Sequence, residues 1–156
     1  MATKRNSKYH QGYFTPVNPE KYKGNSKNIV YRSSYEFKYM MWCDNNPDVI
    51  KWSSEEYFVN YISPIDGNWH RYFVDFYIEY YDINRNIKKA LIEVKPFKQT
   101  QEPKRREKIT KSYINEVKTY GVNQAKWKYA QAFCAKKGWD FKIFTEEQLG
   151  IADKYK

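Results

Sequence analysis

The chain has few of the residues that usually mark a redox, zinc or membrane protein. Its 156 residues include only two cysteines, Cys43 and Cys134, and two histidines, His10 and His70. These four are scattered and have no zinc-ligand spacing. Both cysteines sit in apolar helical patterns, so they read as buried free thiols rather than a disulfide, which fits a cytoplasmic setting. No apolar run approaches the ~20 residues that span a bilayer, and the N-terminus lacks the apolar stretch of a signal peptide, so no membrane partner is expected. There is no glycine-rich phosphate loop, no G-x-S-x-G and no H-E-x-x-H. Neither histidine has an evident catalytic partner. No internal repeat or linker divides the chain, whose length suits one compact domain.

What is present is positive charge and aromatic area. Twenty-eight Lys and Arg against 18 Asp and Glu leave a net charge of +10, and Tyr, Phe and Trp number 16, 9 and 5. A mean hydropathy of −0.96 therefore reflects charges and tyrosines rather than disorder, because Tyr and Trp bury area while keeping a polar handle. The basic excess predicts attraction to polyanions, nucleic acid among them. It is unevenly spread: residues 1–38 carry a net +6, 39–97 a net −3, 98–142 a net +8 and 143–156 a net −1. An acidic centre between basic flanks is what a metal pocket within a phosphate-binding surface requires.

The pattern predicts an α/β (α+β) fold, a small mixed sheet flanked by helices. Residues 1–28 read as an irregular basic arm, with Tyr13, Phe14 and Tyr22 as anchors if it docks at all. The folded domain is expected over 29–150, and 151–156 as a tail. A helix is expected from Ser33 or Ser34, with Phe37, Met40 and Met41 at helical spacing, ending before Pro47. Strands are expected over Tyr57–Ile62, Arg71–Tyr81 and Lys89–Lys95, in a meander. The second of these would place Tyr72, Val74, Phe76 and Ile78 on one face and Arg71, Phe73, Asp75 and Tyr77 on the other. A helix over Lys108–Tyr120 is expected to stop at Gly121, and a second one to run from Asn123 to Gly138. Trp139–Phe144 reads as a strand, and Thr145 with Gln148 as a capping box.

Glu93 and Lys95 lie two apart in a strand and so share a face. Antiparallel pairing with the preceding strand puts Asp75 beside Glu93. Two adjacent carboxylates repel, and a hard divalent cation removes that cost. The carbonyl of Val94 is a further ligand within reach, and Lys95 is placed to orient a water or stabilise developing charge. On spacing alone the commoner reading of the three residues is a solvent face with Lys95 as an ordinary ion-pair partner, because alternating charged positions are frequent in strands. Their apolar flanks (Phe73, Val74, Phe76, Leu91, Ile92, Val94) favour burial, where a carboxylate demands a partner. Glu36 is a fourth candidate, although Ser33 followed by Glu36 also forms a capping box. Glu55 and Glu56 read as surface carboxylates. Lys104, Arg105, Arg106, Lys108 and Lys111 form the densest basic run, suited to a phosphate backbone or to simple solvation.

The runs from Tyr31 to Phe37, Asn46-Pro47, Trp52 to Glu56, His70 to Phe76, Ile92 to Pro96, Asn123 to Trp127, and Cys134 with Gly138 to Glu146 together resemble the head completion nucleases of T-even-like tailed phages. The chain looks more distantly like the N-terminal nuclease domain of TnsA-type transposon endonucleases. The resemblance runs from about Tyr13 to Leu149. It implies the PD-(D/E)xK, restriction-endonuclease-like core and a metal-dependent DNA nuclease used in phage head completion and head–tail joining. Asp75 and Glu93 would be the magnesium (or manganese) ligands, Lys95 the catalytic lysine, and Glu36 the helix carboxylate that joins them. The proline of the motif's name is Val74 here, and that proline contributes no ligand. Arg32 in the first matched run joins the nucleic-acid candidates. Double-stranded DNA and head, portal or neck proteins would be the partners, with assembly in the host cytoplasm and a place in the virion. Two rivals share the basic charge: a structural adaptor that binds DNA or portal components without cutting, and a basic nucleic-acid-binding module that leaves the acid pair unexplained.

Overall fold

A computed structural model describes residues 11–150. A four-stranded mixed sheet forms its centre, in the order β3 (Val49–Ser54), β6 (Phe76–Tyr81), β7 (Ile87–Val94) and β8 (Asp140–Phe144). The first three strands run antiparallel and β8 lies parallel to β7. The parallel pair needs a crossover. It is supplied by α2 (Lys111–Lys137), capped by the Thr110 hydroxyl and closed by Gly138 in the left-handed region. On the other face lies α1 (Ser34–Asn45), where Ser33 accepts the Glu36 amide at 3.1 Å. The short α3 (Glu146–Leu149) opens on the expected Thr145–Gln148 capping box.

The sheet separates two cores. Towards α1, Met40, Trp52, Phe76, Ile78, Ala90 and Ile92 pack together; towards α2, Tyr72, Val74, Tyr77, Leu91, Trp127 and Ala130 do so. Cys43 lies in the first core and Cys134 in the second, both as free thiols. Among the described residues no helix is long and apolar enough to cross a membrane.

Five expectations need correction. The stretch from Arg71 to Tyr81 is not one strand. It breaks at Val74-Asp75 into β5 (Trp69–Phe73), which pairs only with β4 (Phe58–Ile62), and β6 of the main sheet. The break inverts the side-chain alternation, so Tyr72 and Val74 face the core that holds Tyr77, not the one that holds Phe76 and Ile78. The central meander therefore starts with β3, which was not foreseen, rather than with Tyr57–Ile62.

Residues 11–28 are not irregular throughout. β1 (Gly12–Phe14) pairs with β2 (Ile29–Tyr31), and a 3-10 turn spans Pro19–Lys21. Phe14 and Tyr22 are buried as anchors, whereas Tyr13 is exposed. Polar contacts fix the arm as firmly. The buried Asp44 carboxylate accepts the amides of Val17 at 2.7 Å and Asn18 at 3.0 Å. The Lys21 ammonium donates to the carbonyls of Cys43, Asp44 and Asn46 at the C-terminus of α1, where a helix favours a cation. The first ten residues of the expected arm, and the expected tail over 151–156, lie outside the described residues.

Finally, α2 runs unbroken through Gly121. An interior glycine costs a helix about 1 kcal/mol relative to alanine but does not end it. A Cβ at Gly121 would meet only Pro64 Cγ, at 4.0 Å. Gly121→Ala is therefore expected to stabilise the protein by roughly 0.5–1 kcal/mol, read as a rise in denaturation midpoint at unchanged m-value. The first half of α2 also projects beyond the core: Ile114 and Val117 are exposed.

Candidate active site

Asp75 and Glu93 meet because of the β6–β7 register. Phe76 opposes Ile92, so Asp75, one residue before β6, falls opposite Glu93. The Val94 amide donates to Asp75 Oδ2 at 2.9 Å, and the Glu55 amide donates to the Asp75 carbonyl at 3.0 Å. Alternation along β7 sends Ala90, Ile92 and Val94 towards α1, and Leu91 towards α2. Glu93 shares the side of Leu91. There its Oε1 accepts the Tyr72 hydroxyl at 2.5 Å, and its Oε2 faces the Lys95 ammonium at 3.6 Å.

Little water reaches this cluster. Glu93 is buried and Asp75 and Lys95 are half-buried. Burial drives the Asp75 carboxyl well above its ordinary range, and the charges of Glu93 and Glu36 push the same way; the Val94 amide and Lys95 oppose them. Burial also raises Glu93, against Lys95, the Tyr72 hydroxyl and Lys126. Each carboxylate is thus held beside another in a poorly solvated place, the arrangement that a divalent cation relieves.

Glu36 stands in the first turn of α1. Its Oε1 accepts the Arg32 amide at 2.9 Å, one residue earlier than a capping box requires. Burial raises its carboxyl, the Arg32 amide opposes this, and Glu55 and Glu93 add to the rise. Glu36 therefore lies within the electrostatic reach of the acid pair, while the helix is capped by Ser33 and the reciprocal half of the expected capping box goes to Arg32 instead. Glu55, expected at the surface, is half-buried, pairs with Arg32 at 3.2 Å and holds a left-handed φ of 56°. A non-glycine residue there is strained, a cost often stored at functional sites.

Among the described residues no group of three or more His, Cys, Asp or Glu is arranged to hold a metal ion. The donor set on offer is the Asp75–Glu93 pair. That still fits magnesium, which takes one or two carboxylates and completes its shell with water and phosphate.

The basic candidates divide. Arg32 is tied to Glu55, and Arg106 to Glu116 at 3.0 Å and to the Tyr113 ring. Lys104, Arg105, Lys108 and Lys111 are exposed at and before the start of α2. A groove of about 1240 Å³ lies there, lined by Lys98, Lys104, Arg106 and residues of α2 down to Asn123. Two side chains at the site were not foreseen, Tyr72 and Lys126. An unbroken strand would have turned Tyr72 away from Asp75. Lys126 had a signal: it lies three residues after Asn123, on the margin of the buried stripe through Trp127 and Ala130.

A mixed sheet whose second and third strands place an acid pair and a lysine at one end defines a restriction-endonuclease-like nuclease. The chain belongs to the TnsA-like endonuclease N-terminal family, whose model matches residues 46–146. That span includes Asp75, Glu93, Lys95 and Lys126 but not Glu36. The chain is also 37% identical to the head completion nuclease of Enterobacteria phage T4 over 144 residues, 90% of this chain and 93% of that protein. No solved structure gives a significant match.

Proposed function

We propose that the chain is a magnesium-dependent deoxyribonuclease that hydrolyses phosphodiester bonds of double-stranded DNA and acts in phage head completion and head–tail joining. The observation that carries this reading is the buried Glu93 and half-buried Asp75 held side by side, with the Lys95 ammonium against Glu93. The 37%-identical relative, named as a head completion nuclease, supports the biological setting.

Asp75 and Glu93 hold the cation, with the Val94 carbonyl as a third donor. Magnesium, or manganese in its place, supplies Lewis-acid polarisation of the phosphoryl oxygen and a more acidic water. The Tyr72 hydroxyl fixes the rotamer of Glu93. Lys95 directs the attacking water and meets the negative charge that grows on the phosphate. Glu36, anchored by the Arg32 amide, deepens the negative field that draws the cation in. The exposed Lys104, Arg105, Lys108 and Lys111, together with Arg32 and Arg106 where DNA displaces their acidic partners, track the backbone. Head, portal or neck proteins are the docking partners, the host cytoplasm is the place of assembly, and the virion is the destination.

The test is cleavage of circular and linear DNA with and without magnesium, wild type against Lys95→Ala. Metal-dependent cleavage that falls by roughly 10²–10³-fold in the variant is expected. Equal cleavage by the two proteins would sink the assignment.

A further inference from the structure

We propose that Lys126 forms a phosphate-holding subsite of the same centre, its ammonium presented by α2 across the faces of Tyr61 and Tyr72 to bind a phosphodiester oxygen of the DNA. This rests on the nuclease reading above. The Lys126 Nζ lies 5.4 Å from the centroid of the Tyr72 ring and 5.9 Å from that of Tyr61. The hydroxyl of the same Tyr72 holds Glu93. Lys126 is therefore one side chain away from the acid pair, and it comes from a different element than Lys95.

Its surroundings are unusual for a lysine. It is half-buried, and among the described residues it stands in no ion pair, whereas Lys95 leans on Glu93. Tyrosine faces offset part of the cost of desolvating an ammonium, but not all of it. Burial lowers its affinity for a proton, while Glu93, Lys95 and Asp75 all act on it, which places it in the field of the site. Once Asp75 and Glu93 are committed to a divalent cation, their charges are spent. Lys95 and Lys126 then remain to face the substrate. A phosphodiester has one negative charge and gains another as a nucleophile adds, so two ammonium groups match it. The exposed Lys104, Arg105, Lys108 and Lys111 lie at the start of the helix that carries Lys126, so α2 leads positive charge from the surface towards the scissile bond.

Binding of labelled duplex DNA by the Lys95→Ala protein, in magnesium and over a range of salt, reads this contact without cleavage. Adding Lys126→Met is expected to weaken binding by roughly tenfold and to reduce the slope of log affinity against log salt by about one, the signature of one lost phosphate contact. Lys126→Arg should restore the slope. Lys89→Ala, an equal charge removed near the opposite end of β7, should leave affinity near that of its parent. A Lys126→Met protein with a native melting curve and an unchanged slope overturns the proposal. So does an equal loss in Lys126→Arg, which would make the effect one of packing. Wild-type protein that binds DNA without cutting it would overturn the nuclease reading instead, and the salt slope would still decide the role of Lys126.

Discussion

Asp75→Asn will lower DNA cleavage by about 10³-fold or more and, in the same protein, raise the melting temperature of the metal-free chain. The first effect follows from chemistry. A ligand to the cation is replaced by a weaker, neutral one, and loss of a metal's several kcal/mol of charge stabilisation converts at 1.36 kcal/mol per factor of ten. The second follows from burial. Ionised Asp75 is poorly solvated and faces Glu93 and Glu36, so neutralising it removes a cost. Asn keeps an oxygen for the Val94 amide, which now bonds Asp75 at 2.9 Å. A gain of about 1–2 kcal/mol, roughly 2–8 °C for a domain of this size, is expected.

The pH dependence separates this from a packing effect. The folded-state pKa of Asp75 is raised above its ordinary value of 3.8. Between the two values the folded protein holds a proton that the unfolded chain has lost, so wild-type stability falls as pH rises through that window. Below the ordinary value both states are protonated and the cost is absent. The stability advantage of Asp75→Asn should therefore be small at pH 4 and grow towards pH 8, and magnesium should reverse it by stabilising only the wild type. Melting curves at the two pH values, with and without the metal, decide it. An advantage that is constant with pH would show that Asp75 does not carry a buried charge.

The acid pair was legible because strand periodicity is local. Glu93 and Lys95 two residues apart must share a face, and one turn suffices to bring Asp75 opposite. The side of the sheet was not legible. Most residues from Arg71 to Tyr81 are β-formers, and the charge of Asp75 does not by itself mark a break, since Glu79 lies inside unbroken β6; the break at Val74-Asp75 exists because β5 pairs with β4 while β6 pairs with β3 and β7. Those partners are distant in sequence, so Tyr72 could not be assigned to the side of Glu93. Gly121 misled for a related reason: its cost is local, whereas the packing that carries α2 past it comes from Asn123, Trp127 and Ala130 against the rest of the fold. Strand β3 contains only Val49, Ile50 and Trp52 as strong β-formers, and its pairing with β6 supplies the rest.

Trp52→Ala should be the most damaging substitution outside the site. The side chain is fully buried and touches the rings of Phe14, Tyr22 and Phe76, with centroids 5.8, 4.8 and 6.4 Å away. It thus joins the N-terminal segment to the sheet, and the Lys23 amide adds a bond to its carbonyl at 2.8 Å. Truncating a buried aromatic costs about 3–5 kcal/mol, a fall of roughly 6–20 °C here. Trp52→Phe should cost much less, because among the described residues the indole N–H has no hydrogen-bond partner and its removal returns part of the ~1–3 kcal/mol that such a group costs when buried. The loss should also be local in origin: proteolysis between residues 11 and 28 should accelerate in Trp52→Ala before global unfolding. Activity should fall with it, since β3 leads through Ser54 to Glu55, whose amide holds the Asp75 carbonyl. A Trp52→Ala protein that melts within about 2 °C of wild type would mean that the N-terminal segment contributes nothing to the stability of the sheet, and that Asp75 is positioned by β6 and β7 alone.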